Sequence, residues 1–477
     1  MGKNRKLISN SFSMIVNRLA QSITTFVLTT SIARILGAEA LGQYLLAFTY
    51  YFIFVSIASQ GLKNLFTREI AREPEKTPLY LVSGSWLQLI FSFFSYVVLV
   101  ITVFLLPYTS ETSAACYIMG LTIIPFSLSN ITEAIFQAKE KMHLIAIATV
   151  PVYVIRLFVM LWAMQKNYGI DYLAAILVVS ESIILGIEWI LVTKLVKTKL
   201  RIDGNFVWST IKNARTFFAI EALAVVNGRI QILILSLLGS EFIVGVYGGI
   251  TQLLQPFFII ANSICIAMFP GLSKAVSEGR ETQRKIISNC IETLLIIALP
   301  LSVGLVFVGK NLLTFIYNPS FAQGSLALSI IAVSLIFMPF NQSLSYLLVA
   351  NGFEIVNLRQ VAINTTLGSL AGVILVSQYN LLGAAIMAFL MSFIAFIQYV
   401  YFSFTLVFPL NLWRIIRSPL LLSILMAGVF IILEKSHLNF LLTIAIATCC
   451  YILFINFLSI RNLGGIHTLR EKILKRS

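Results

Sequence analysis

Ionisable residues inside long apolar segments are the first candidates for chemistry in this 477-residue sequence. A charge surrounded by apolar groups is costly unless it meets a partner or a polar cavity, so such residues are commonly functional. They can form ion pairs, bind an anion or a cation, or carry a proton. Eight residues fit this description, namely Arg18, Glu133, Arg156, Glu181, Glu188, Glu221, Arg229 and Glu292.

Other kinds of chemistry find little support. The five cysteines lie in apolar runs without CxxC spacing, and the three histidines are scattered, so no metal site is expected. No GxxxxGK[ST] phosphate loop occurs, which argues against ATP hydrolysis by this chain. We therefore expect no cofactor, no metal and no catalytic residue.

The composition indicates where the candidate residues lie. Hydrophobic residues make up 58% of the chain and charged residues only 11%, whereas soluble domains carry about 25% charged residues. A helix needs about 20 apolar residues to cross a bilayer, and apolar runs of that length predict about 14 such helices. The fold class predicted is an all-α integral membrane protein.

The basic residues predict the orientation of the helices. Of the 34 Lys and Arg residues, 27 fall in one alternate set of predicted loops and tails, and four fall in the other. Since Lys and Arg accumulate on the cytoplasmic side, both termini are predicted to be cytoplasmic in the plasma membrane. The net charge of +15 is then a topological signal rather than an indication of nucleic-acid binding. Glu133, Glu188 and Glu292 lie near predicted cytoplasmic helix ends, where we expect them to reach water.

Arg156 and Glu181 are predicted to be partners. They lie at nearly the same depth in two predicted antiparallel helices that are joined by a short loop. Two hypotheses remain open for them, a structural ion pair and a site that couples transport to a proton or cation.

Two stretches of the sequence repeat one pattern. The runs ARILGAEALGQY and LSLLGSEFIVGVY both read L-G-x-E and then G-x-Y, and Asn10 and Asn213 begin the preceding predicted helices. The glycines are expected to form tight turns, with each glutamate near the positive amino end of the next helix. The repeat predicts two pseudo-symmetric six-helix lobes and a terminal pair with a basic cytoplasmic tail, at residues 1–200, 201–405 and 406–477.

The amino-terminal block SIARILGAEALGQYLLAFTYYFIFVSIASQGLKNLFTREIAR resembles a known family. It is similar to the opening of bacterial polysaccharide biosynthesis proteins of the oligosaccharide flippase type. That family belongs to the multidrug/oligosaccharidyl-lipid/polysaccharide exporter superfamily. The resemblance implies a flippase, not an enzyme, that moves a polyprenyl-diphosphate-linked oligosaccharide to the external leaflet for surface polysaccharide assembly.

Two alternatives to this function remain. One is a small-molecule or drug antiporter of the same superfamily, and the other is a membrane glycan polymerase or ligase. The implied partners are the lipid-linked oligosaccharide, membrane lipids and a polysaccharide polymerase or assembly machinery, with no nucleic acid.

The resemblance also implies that the first helix of each lobe lines a central cavity. Arg18 and Glu221 occupy equivalent positions in those helices, so they either contact the substrate or pair and lock the lobes. Arg229 lies two turns beyond Glu221, at the depth of Asn227 and Gln231. Two arginines at different depths would give a diphosphate successive binding positions, because a guanidinium binds phosphate with two parallel hydrogen bonds.

Overall fold

The structure, a computed structural model, describes residues 3–59, 61–196, 203–434 and 439–462. Within these residues the side chains of 3–9, 11, 205, 207, 209, 211, 213–224 and 456–462 are not described. The described residues form α-helices joined by short connections, without a β-strand among them. The predicted all-α fold class is confirmed.

Seventeen α-helices occur in the described ranges. In chain order they are α1 (Lys3–Ile35), α2 (Gly37–Ser59), α3 (Leu62–Arg72), α4 (Thr77–Leu79), α5 (Ser85–Phe104), α6 (Ser110–Gly120), α7 (Ile123–Ala138), α8 (His143–Gln165), α9 (Ile170–Thr193), α10 (Gly204–Leu238), α11 (Glu241–Glu278), α12 (Arg280–Ile316), α13 (Ser325–Ser334), α14 (Met338–Ala350), α15 (Glu354–Leu406), α16 (Leu412–Glu434) and α17 (Phe440–Asn462).

Ten helical stretches in the described part of the chain are long and apolar enough to cross a membrane. One of them, α15, has 53 residues and is interrupted at Asn380, where φ is 48° and ψ is −119°. Shorter apolar segments, Val225–Leu238 and Phe440–Ile455, lie in α10 and α17. The count of fourteen membrane helices therefore stays a prediction.

Large apolar side chains cover much of the helix surface. Phe93, Phe94 and Phe104, all on α5, are 62%, 65% and 77% exposed. Soluble proteins do not leave such continuous apolar surface in water, whereas lipid chains solvate it without cost. The protein is a multi-pass membrane protein.

The contacts divide the chain into two compact units, Met1–Gln252 and Leu253–Ser477. The first unit contains α1 to α10 and the opening turns of α11, and the second contains the remainder of α11 and the helices after it. This division follows contacts rather than topology. The predicted six-helix lobes at residues 1–200 and 201–405 stay a prediction.

Each unit has its own apolar core. In the first unit, Leu62, Phe66 and Ile70 share one face of the short helix α3 and are buried with Phe136 of α7. In the second unit, Leu295, Phe340 and Leu344 are buried in a cluster that includes Tyr399. This second cluster fixes α14 against α12 and α15 and so determines which α14 side chains stay accessible.

Candidate functional site

Arg229 on α10 lies against the aromatic face of α2. Its Cζ atom is 4.9 Å from the ring centroid of Phe52 and 5.8 Å from that of Phe48. The two rings are four residues apart, so they lie one above the other on the same helix face. Among the described residues, no acidic side chain lies within ion-pair distance of Arg229. The two rings provide cation–π contacts to the guanidinium, whose N–H groups can donate to an anion.

Asn227 and Gln231 are half-buried and take part in interactions of their own. They are four residues apart and share one face of α10, while Arg229, two residues from each, points to a different face. Helix geometry therefore separates the two polar side chains from the arginine. The side chain of Glu221, the fifth predicted cavity residue, lies outside the described residues.

Arg18 lies on an exposed polar stripe of α1. Arg18 and Gln21 are exposed, and Thr25, one turn further along the same face, is half-buried. A different face carries the exposed apolar side chains of Leu19 and Ile23. Within the described ranges Arg18 has no ion-pair partner. One polar and one apolar exposed face is typical of a membrane helix that borders both a polar space and lipid.

The structure brings Arg156 of α8 and Glu181 of α9 together. The Arg156 Nη1 atom lies 2.7 Å from Oε1 of Glu181 and 3.3 Å from the hydroxyl oxygen of Ser180. The guanidinium also stacks over the Tyr153 ring at 4.9 Å. The side chains are 11% and 9% exposed, so each charge depends on the other for compensation.

The three glutamates expected to reach water differ in their exposure and in their partners. Glu133 forms an ion pair with Lys63, and Glu292 is half-buried. Glu188 is 0% exposed, so the expectation that it reaches water is wrong. Its helix, α9, packs against α7, and Thr132 of α7 donates a hydrogen bond of 2.5 Å to Glu188 Oε2. Sequence depth alone does not reveal this burial because it arises from the packing of a neighbouring helix.

A polar cluster that was not predicted surrounds Glu241, the first residue of α11. Gln43 Nε2 donates to Glu241 Oε2 at 3.0 Å, and Thr109 donates to Oε1 at 2.7 Å. The Thr112 hydroxyl donates to the same oxygen. The position of Glu241 at a helix amino end is favourable for its charge. The G-x-Y and L-G-x-E motifs contained the signal, since Gln43 and Glu241 belong to the two repeats.

A second unpredicted feature is a cavity of about 530 Å³ in the second unit, lined by uncharged polar and apolar side chains. We call it the amide groove, and its polar lining residues are Gln255, Asn262, Asn341, Gln342, Ser345 and Tyr399. Charged residues alone do not indicate this cavity, because none of them lines it. The available signal was the recurrence of amide side chains within apolar helices.

Two sequence comparisons relate this chain to known proteins. The sequence profile of the family described as "Polysaccharide biosynthesis protein" matches residues 7–276. The Capsular polysaccharide biosynthesis protein CapF of Staphylococcus aureus is 21% identical over an alignment of 410 residues that covers 83% of this chain and 99% of that protein.

Solved structures show the same fold. The lipid II flippase MurJ in an inward closed conformation superposes with a TM-score of 0.75 at 16% identity, covering 96% of this chain and 99% of MurJ. A multidrug resistance transporter of the MATE family, from the MOP superfamily, gives a TM-score of 0.63 at 16% identity, with 79% and 93% covered. The fold is therefore that of MurJ and the MATE transporters.

The resemblance of the amino-terminal block is thus confirmed over a much longer part of the chain. Because the profile matches more than half of the sequence, this chain belongs to the polysaccharide biosynthesis protein family.

Proposed function

We propose that this protein moves a polyprenyl-diphosphate-linked oligosaccharide from the cytoplasmic to the external leaflet of the plasma membrane, for surface polysaccharide assembly. The diphosphate and sugar cross through the protein while the polyprenyl chain stays in lipid. No bond is made or broken, so the protein acts as a flippase rather than an enzyme. Membership of a polysaccharide biosynthesis family and the flippase fold support this proposal.

The observation that carries the proposal is the environment of the Arg229 side chain. It is a cation within a largely apolar helix, it is stacked on two rings, and no described carboxylate neutralises it. A diphosphate supplies the missing anion, and the flat guanidinium presents paired N–H donors that match phosphate oxygens. Arg18, on its exposed polar stripe, provides a second contact for the diphosphate.

The membrane potential supplies a driving force in this scheme. An outward movement of negative charge across an inside-negative membrane is favourable by about 2.3 kcal/mol per charge per 100 mV. A diphosphate in diester linkage carries about two such charges. Arginines along the route lower the barrier to crossing, and the potential then sets the direction.

Two other functions would use the same fold. A small-molecule antiporter is favoured by the likeness to a multidrug transporter, although the family profile points to polysaccharide biosynthesis. A glycan polymerase or ligase would need an acid and a base close together. Among the described residues, Arg156 and Glu181 are instead paired with each other, Glu188 accepts a hydrogen bond from Thr132, and Arg229 has no carboxylate within ion-pair distance.

The experiment that tests the proposal is reconstitution of the purified protein in liposomes with lipid-linked oligosaccharide from the native host. External exposure of the glycan is followed with a membrane-impermeant lectin, and its length is checked by mass spectrometry. The proposal expects faster exposure than in protein-free liposomes and an unchanged glycan. A lengthened or transferred glycan would identify an enzyme, and unchanged exposure would refute the flippase.

A further inference from the structure

We infer that the amide groove of the second unit is a binding site for the uncharged sugar part of the substrate. The groove lies between α11, α14 and α15, and it is separate in the sequence from the arginines assigned to the diphosphate. This inference rests on the proposed function, which it deepens by assigning the glycan its own recognition site.

The polar residues of α11 indicate that the groove borders a polar space rather than lipid. Gln255 and Asn262 are exposed and lie seven residues apart, two turns along one face of an apolar membrane helix. An amide exposed to hydrocarbon would lose hydrogen bonds to water without replacement. The two amides therefore border a polar space into which a hydrophilic ligand can enter.

On the α14 side of the groove, two amide oxygens accept no hydrogen bond from the described residues. Asn341 uses its Nδ2 atom to donate to the Ser392 carbonyl at 2.9 Å, and Gln342 uses Nε2 to donate to Asn262 Oδ1 at 2.8 Å. In the described part of the chain, Asn341 Oδ1 and Gln342 Oε1 are buried and have no hydrogen-bond partner. An unpaired buried amide oxygen is costly, and a rotation of either side chain towards the groove would let a sugar hydroxyl donate to it.

The far wall of the groove is held in a fixed arrangement. Asn357 Oδ1 accepts hydrogen bonds from the Ser345 hydroxyl at 3.0 Å and from the Tyr399 hydroxyl at 2.5 Å. Phe340 and Leu344, on the opposite side of α14, are fully buried in the core of the second unit. The groove therefore presents polar groups on a rigid support, which reduces the entropy lost when a ligand binds.

The chemistry of the lining selects the class of ligand. The described lining contains amides, hydroxyls and the apolar side chains of Phe258, Ile259 and Met338, without a charged side chain. Such a surface offers neither a cation for a phosphate nor an anion for a cationic drug. Amide groups pair with hydroxyl and acetamido groups, and an aromatic ring packs against the apolar face of a sugar. A volume of about 530 Å³ is within the usual range of small-ligand sites, so it accepts a short oligosaccharide.

The test compares two lipids on the full-length protein in nanodiscs. One probe is undecaprenyl diphosphate, and the other is the same lipid bearing the oligosaccharide extracted from the native host. Dissociation constants are measured for the wild type, Gln342→Leu, Asn262→Leu and Gln255→Leu. Gln255 makes no hydrogen bond within the described residues, so its substitution tests the groove without removing an internal contact.

We expect the wild type to bind the glycan-bearing lipid about 10-fold more tightly than the bare lipid, as a few neutral hydrogen bonds provide. Each groove variant should reduce this ratio to about 2-fold or less while leaving the bare lipid's affinity unchanged. Gln378→Leu is the matched control because Gln378 is exposed in the same unit and does not line the groove. It should keep the wild-type ratio.

The remaining outcomes separate the inference from the proposed function. Folded groove variants that keep the wild-type ratio overturn the inference and leave the flippase proposal intact. Variants that lose both lipids equally also overturn it, because the groove would then bind the lipid or the diphosphate. A wild type that binds neither lipid overturns the proposed function and the inference together. Folding is monitored by the melting temperature and by gel filtration. If Gln342→Leu or Asn262→Leu does not fold, the comparison rests on Gln255→Leu, which removes no hydrogen bond among the described residues.

Discussion

Gly42 of α2 and Gly245 of α11 face each other at a crossing where the two helix backbones touch. A Cβ atom added to Gly42 would lie 3.0 Å from the Gly245 nitrogen and would overlap the Glu241 carbonyl oxygen. A Cβ atom added to Gly245 would lie 2.9 Å from the Gly42 nitrogen and would overlap the Ala38 carbonyl oxygen. The contact is symmetric because the two glycines hold the same place in the repeated motif, and small residues allow close helix packing in membranes.

We expect Gly42→Ala and Gly245→Ala each to destabilise the protein by about 1–3 kcal/mol, since the added methyl group pushes α2 away from α11. The measurement is the thermal unfolding midpoint in detergent. Gly186→Ala is the matched control, because Gly186 is in the middle of α9 and a Cβ atom there meets nothing within 4 Å. That control should be neutral or slightly stabilising. Equal behaviour of all three variants would contradict the role of the contact.

Arg156 and Glu181 should behave as a coupled pair. Removal of one partner leaves a buried charge without compensation, so Arg156→Ala and Glu181→Ala are each expected to cost about 3–5 kcal/mol. The double variant should be much milder than the sum, because no charge is left behind. The amount of folded protein in membranes and its unfolding midpoint provide the comparison. Additive losses would show that the 2.7 Å contact contributes no coupling.

The parts of the fold that follow from local rules were predictable from the sequence. Long apolar runs identify membrane helices, and a rise of 1.5 Å per residue placed Arg156 and Glu181 at one depth before their contact was known. The repeated glycines predict tight turns, and this prediction covers only part of their role. Gly37, with φ of 94°, does form the predicted turn, whereas Gly42 and Gly245 serve a helix crossing that only the packed structure reveals.

The features that sequence reasoning missed depend on tertiary packing. An amide side chain such as Gln342 does not by itself indicate a binding site. It does so only in the folded protein, where its Nε2 atom lies 2.8 Å from Asn262 Oδ1 of another helix. Glu188 does lie near the end of α9, but its position in the sequence does not reveal that α7 packs over it. Both contacts join residues that are far apart in the sequence. A single sequence does not indicate which distant residues will meet.

Glu188→Gln is expected to preserve or raise stability. The side chain is 0% exposed, Oε2 accepts from Thr132, and Oε1 has no partner among the described residues. Glutamine has the same shape and avoids the cost of burying a charge. Glu188→Ala should instead cost about 2 kcal/mol or more through the cavity it leaves. If Glu188→Gln instead unfolds at a lower temperature than Glu188→Ala, the charge of Glu188 has a partner that a glutamine side chain does not satisfy.

The orientation of the chain can be tested with reporter fusions. The distribution of Lys and Arg predicts that fusions after Ser477 and within residues 194–213 report the cytoplasm and that a fusion near residue 315 reports the outside. Alkaline phosphatase and green fluorescent protein give complementary signals at each site. An external carboxyl terminus would mean that the number of membrane helices is odd and that the predicted count is wrong.

Arg229 provides the sharpest test of how the diphosphate is recognised. Arg229→Gln removes the charge and should slow flipping in liposomes while the protein stays folded, and Arg229→Lys should restore it only in part because an ammonium group lacks the planar fork. Phe52→Leu keeps the arginine but removes the nearer ring, 4.9 Å from Cζ, and should lower the rate about 3- to 10-fold, as expected for a lost cation–π contact of about 1 kcal/mol. Phe93→Leu serves as the control, since Phe93 is 62% exposed on α5 and belongs to the lipid-facing surface. A full rate in Arg229→Gln would remove this residue from the mechanism, whereas a loss in Arg229→Gln with no effect of Phe52→Leu would show that the charge acts without the stacking.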